Sequence, residues 1–72
     1  MFTVKLVKGD AVKIVAAVSV DVVPAALGGG REIACTDEAG SCTRYEVARG
    51  GAYAAAYIEN AAGQTTQIVR PK

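Results

Sequence analysis

A chain of 72 residues, 51% of them apolar, builds one domain near the lower size limit for folding without help. Eight basic and seven acidic residues are mixed along it for a net charge of +1, so no charged footprint calls for nucleic acid or an anionic membrane. Histidine is absent, which removes the commonest acid–base residue and the usual partner of cysteine at zinc.

Phe2, Val4 and Leu6 alternate with Thr3 and Lys5, which predicts a first strand. Gly9-Asp10 marks a turn. From 11 to 23 the chain is rich in Val and Ile: Val12, Ile14, Ala16, Val18, Val20 and Val22 share one parity, with Lys13, Ser19 and Asp21 on the other. So many β-branched residues predict strand rather than helix. Thirteen extended residues reach roughly 43 Å, too long for a domain this size, so a bend or break is expected near Ala16-Ala17. An odd-length loop of three or five residues around Gly9 is expected, because it sets Leu6 opposite Ile14 and keeps apolar residues on one face.

Pro24 ends this strand, and 24–30 is a glycine-rich connection. Gly28-Gly29-Gly30-Arg31 lacks the first glycine and the Lys-Ser/Thr of a phosphate-binding loop, and reads as a flexible connector. Two cassettes follow, Asp37-Glu38-Ala39-Gly40 and Asn60-Ala61-Ala62-Gly63. Each opens on an Asx residue and ends on glycine, the chemistry of a type I turn closed by a left-handed glycine. They predict hairpins from 31–36 with 42–49, and from 52–59 with 64–70. The alanines of 52–57 also suit a helix, but the flanking turn and Thr65-Thr66 favour strand. The domain reading is therefore a single β unit over 1–72: a first hairpin over 2–23, the connection 24–30, a second hairpin over 31–49 and a third over 52–70. The expected fold is all-β and antiparallel, about six strands arranged as a small barrel or a two-layer sandwich.

Cys35 and Cys42 are the only cysteines. A four-residue loop over 37–40 sets them directly opposite, within disulfide reach, and pairs Arg31 with Glu46. A three-residue loop with a glycine bulge puts them on opposite faces and sets Glu32 against Glu46. Charge pairing favours the first register and turn chemistry the second; a neighbouring pair, reduced in the cytosol, is the expectation carried forward. Two thiolates without histidine make no structural zinc site, so no metal and no cofactor are expected.

Acid–base work would fall to scattered carboxylates, and so short a chain has little volume for a pocket, so no catalytic residue and no small-molecule substrate are expected. The N-terminal residues lack the organisation of a signal peptide, and the apolar stretch from Ile14 to Leu27 is interrupted by Ser19, Asp21 and Pro24, so a cytoplasmic protein with no membrane partner is expected. The leading functional expectation is a non-catalytic structural or protein-interaction module that self-associates, of the kind common among phage and mobile-element accessory proteins. Its expected interface is the alanine-rich segment, at Ala52, Ala54, Ala56 and Ile58, where small side chains permit close approach. The alternative is a nucleic-acid-binding small β-barrel, with Arg44, Tyr45, Arg49, Tyr53, Tyr57 and Arg70 as a stacking-and-charge surface.

Overall fold

The computed structural model describes residues 1–24 and 30–71. It is all-β and antiparallel, with seven strands: β1 (Phe2–Lys8), β2 (Ala11–Ala17), β3 (Ser19–Pro24), β4 (Arg31–Thr36), β5 (Cys42–Val47), β6 (Ala55–Glu59) and β7 (Thr65–Val69). They form two sheets, a four-stranded one ordered β2-β1-β6-β7 and a three-stranded one ordered β3-β4-β5. The core lies between them. Val4, Leu6, Ala17, Ala56, Ile58 and Val69 from the first sheet meet Ile33, Cys35 and Val47 from the second. Phe2, Val15, Val20, Val22, Tyr45 and Tyr53 close its margins.

The long valine-rich run crosses from one sheet to the other. Its fully extended length of roughly 43 Å exceeds the molecule's longest dimension of 30 Å, so it has to bend. The break falls at Val18, one residue past the expected place, and turns one predicted strand into β2 and β3. Val18 donates its N–H to the Thr36 carbonyl at 2.8 Å, out of step with the β3–β4 ladder, in which Ser19 faces Thr36. That irregularity shifts the parity. Val15 and Ala17 face the core in β2, whereas Val20 and Val22 do so in β3.

The first loop differs from expectation. Lys8 pairs with Ala11 across a two-residue Gly9-Asp10 turn, so Leu6 faces Lys13 rather than Ile14. Gly9 has φ of 59° and Asp10 does not take positive φ, the sign pattern of a type II′ turn, whose twist matches that of the strands. The local turn outweighs the polarity pattern because Lys13 lies on an edge strand. Its Nζ sits 5.5 Å from the centroid of the Tyr45 ring.

Both Asx cassettes form the turn they predict, with matching bonds. Asp37 Oδ1 accepts from the N–H of Ala39 and Ser41, both at 2.9 Å; Asn60 Oδ1 accepts from Ala62 at 2.9 Å and Gln64 at 3.0 Å. Gly40 (φ 85°) and Gly63 (φ 81°) occupy the left-handed position. The first turn sets Thr36 opposite Cys42 and Glu32 opposite Glu46. The expected Cys35–Cys42 pair is thereby corrected: Cys35 is buried in the core, Cys42 is exposed on the outer face, and both thiols are free. The side-chain bonds of the turn hold this register, and Arg44 Nη1, 3.7 Å from Glu32 Oε2, moderates the facing carboxylates.

The alanine-rich segment is strand only from Ala55. Gly50 (φ 70°) and a bond from Gly51 N–H to the Ala48 carbonyl (3.1 Å) make a tight turn of the type II pattern, after which Tyr53 bridges Val47. Of the expected connection, residues 25–29 lie outside the described residues. Gly30 is buried, and a Cβ there would come 2.8 Å from that of Ala48.

Candidate interaction surface

Strand alternation gives each sheet an outer face, and the two faces differ in chemistry. Across the three-stranded sheet the outer positions are Ser19, Asp21, Glu32, Ala34, Thr36, Cys42, Arg44 and Glu46, an ordinary solvated mixture with Val23 at one end. Across the four-stranded sheet the register lines up Ile14, Lys5, Tyr57 and Ile68 in one row, and Val12, Val7 and Ala55 in the next. Ile14 is 66% exposed, Val12 55% and Ile68 51%. The only charges among these positions are Lys5 and, a row away, Glu59, and they neutralise each other at 2.9 Å. A domain this small has turned two rows of Val, Ile, Ala and Tyr outward around a single ion pair, with Thr3 and Thr65 in the row of Glu59 beside them. Contiguous exposed apolar surface of that kind marks interaction sites in soluble proteins.

Exposure concentrates on the bent strand. Val12, Ile14, Val18 and Val23 all lie on it. Beside its corner a shallow cleft of about 430 Å³ opens between Met1, Ala16, Ala17 and Val18 on one side and Asp37, Glu38 and Ala39 on the other.

The residues singled out from the sequence fall differently. Ala56 is fully buried and Ile58 is 3% exposed, so both are spent inside the chain's own core, and the interface expected at Ala52, Ala54, Ala56 and Ile58 is corrected at those two positions. Ala56 faces Leu6 and Val69 across the sheet: the close approach that alanine permits is between this chain's own layers. Ala52 and Ala54 are exposed, in the bend before β6.

The six residues of the nucleic-acid reading do not share a surface. Arg44 lies on the outer face of the three-stranded sheet and Tyr57 on the outer face of the other. Tyr45 and Tyr53 pack edge-to-face against the core margin, centroids 6.1 Å apart and planes at 69°. Arg49 and Arg70 are exposed at a turn and beyond β7. Stacking platforms need aromatic faces open to bases beside a basic groove, and two of the three tyrosines are turned inward.

Parity places the even residues of 11–23 on one face throughout, which hides the exposure of Val12 and Ile14. The signal that finds them is Gly9 at the first position of a two-residue turn, which selects the other register. Comparison with known proteins finds no matching family model, no matching curated protein and no matching solved structure.

Proposed function

We propose that this chain is a non-catalytic structural or protein-interaction module that self-associates, using the outer face and free edge of the four-stranded sheet. The observation that carries the reading is the row of Ile14, Lys5, Tyr57 and Ile68, with Val12, Val7 and Ala55 beside it, in which Ile14, Val12 and Ile68 are exposed and the rest half-buried, while the opposite face of the domain is mostly polar. Burying apolar surface returns about 25 cal/mol per Å², so covering several such side chains supplies a driving force that a near-neutral surface does not oppose. Fixed polar groups are few on this face. The partner it suits is therefore another apolar sheet surface rather than a polyanion.

The test is molar mass by sedimentation over a wide concentration range with reductant present. Mass rising with concentration, and falling back to the monomer when Ile14 is replaced by Glu, is the expected result. A monomer throughout refutes self-association.

A further inference from the structure

We propose that two copies of this chain join edge to edge through β2, antiparallel about a two-fold axis at Ile14, so that the two four-stranded sheets become one of eight strands. The inference rests on the self-association reading and specifies its geometry.

Ala54 donates its N–H to the Val7 carbonyl at 2.8 Å, so the odd residues of β1 direct their backbone groups toward β6 and the even ones toward β2. Because Phe2, Val4, Leu6 and Lys8 face Ala17, Val15, Lys13 and Ala11, the odd residues of β2 are spent on β1. Val12, Ile14 and Ala16 then point their N–H and C=O groups out of the sheet, and β2 pairs with no other strand among the described residues. Val18, next in that phase, donates to Thr36, which shows that the same side of the strand is used for pairing as soon as a partner is present. The edge is seven residues long and carries no proline, glycine or bulge. Such an edge is a template for another strand.

Self-complementarity argues for a second copy. Centring the axis on Ile14 sets Ile14 against itself and Val12 against Ala16 of the other chain, all on the outer face, and extends the apolar row without a break. On the inner side Lys13 meets Val15 of the other copy. An inward lysine ordinarily discourages edge pairing, and here it excludes the register centred on Lys13, where two ammonium groups would face each other. The open cleft beside Ala16–Val18 is where the other copy's Gly9-Asp10 turn arrives, so it supplies room. Lys8 flanking that turn favours the Asp37 and Glu38 side, and Asp10 opposes it.

The experiment combines sedimentation with engineered cysteines in a Cys42→Ser background, since Cys35 is buried. Facing residues of a hydrogen-bonded antiparallel pair have Cα atoms about 5.5 Å apart, within disulfide reach. Ile14→Cys is therefore expected to cross-link to a dimer on mild oxidation. Val12→Cys is not, because its copy lies four positions along, about 14 Å away. Ile14→Pro removes an N–H that faces outward, so it is expected to keep the β-sheet circular dichroism and lose the dimer. Ile68→Asp, on the far strand, should leave the dimer intact. A dimer in which Ile14→Cys links no better than Val12→Cys, or which Ile68→Asp dissociates, overturns the edge pairing and leaves self-association through the sheet face. A wild-type monomer at every concentration overturns both. If Ile14→Pro fails to fold, the two cysteine variants still decide.

Discussion

Replacing Ile14 by alanine separates the observed register from the one that polarity alone suggests. Leu6 is fully buried and Ile14 is 66% exposed, although hydropathy ranks them alike. Leu6→Ala leaves a cavity in close-packed surroundings and should cost about 2–5 kcal/mol. A domain of this size has about 0.1 kcal/mol per residue, roughly 7 kcal/mol in all, so that loss is a large share of the total. Ile14→Ala removes side-chain atoms that mostly contact water and trims only strand preference, which keeps the cost under about 1 kcal/mol. Were Leu6 opposite Ile14, both would lie in the core and both substitutions would cost about 2–5 kcal/mol. The assay is urea unfolding followed by circular dichroism at the lowest workable concentration, so that dissociation does not enter the balance. Equal losses for Ile14→Ala and Leu6→Ala, with unchanged denaturant slope, refute the two-residue turn at Gly9-Asp10 and the exposed face that follows from it.

Gly40→Ala and Gly63→Ala should each cost about 1–2 kcal/mol through left-handed strain alone, because a Cβ there meets nothing within 4 Å; unequal costs by thermal unfolding refute the equivalence of the two turns. Gly30→Ala should be worse although its φ is ordinary, since its Cβ would come 2.8 Å from that of Ala48 and 3.0 Å from the Val47 carbonyl; a neutral outcome refutes that packing. Asp37→Ala deprives two backbone N–H groups of their acceptor and should cost about 1 kcal/mol, while Asp37→Asn retains the acceptor and most of the stability. Thiol titration should find one reactive group in the native protein, Cys42, and two after unfolding. Burial, and secondarily the neighbouring Cys42, holds the Cys35 thiol above the ordinary cysteine range. The unfolded chain releases that proton at about pH 8.5 and the folded chain retains it, so the stability it contributes is whole below that pH and declines as pH rises toward the folded value. Cys35→Ala should flatten the alkaline decline seen in melting curves, and an unchanged slope refutes the assignment.

Strand alternation, the two Asx cassettes and Pro24 were enough to determine an all-β antiparallel chain with hairpins at 37–40 and 60–63. Those features act within a few residues: a carboxylate or amide bonding its own turn, a glycine taking positive φ, a ring that cannot donate to a ladder. The parity shift at Val18 and the burial of Ala56 and Ile58 were decided by the tertiary structure, whereas the register at Gly9 and the separation of Cys35 from Cys42 follow from turn chemistry against which the polarity and charge patterns pull. The physical reason is that side-chain parity is local while the choice of buried face is not. The run from Ala11 to Pro24 is apolar on both faces in places, so either face is able to enter a core. Which one does depends on a II′ turn nine residues into the chain, on Lys13 finding the Tyr45 ring, and on a strand bending to serve two sheets. The candidate surface follows from that choice: Ile14 and Val12 lie open to solvent because Val15 and Ala17 were packed inside.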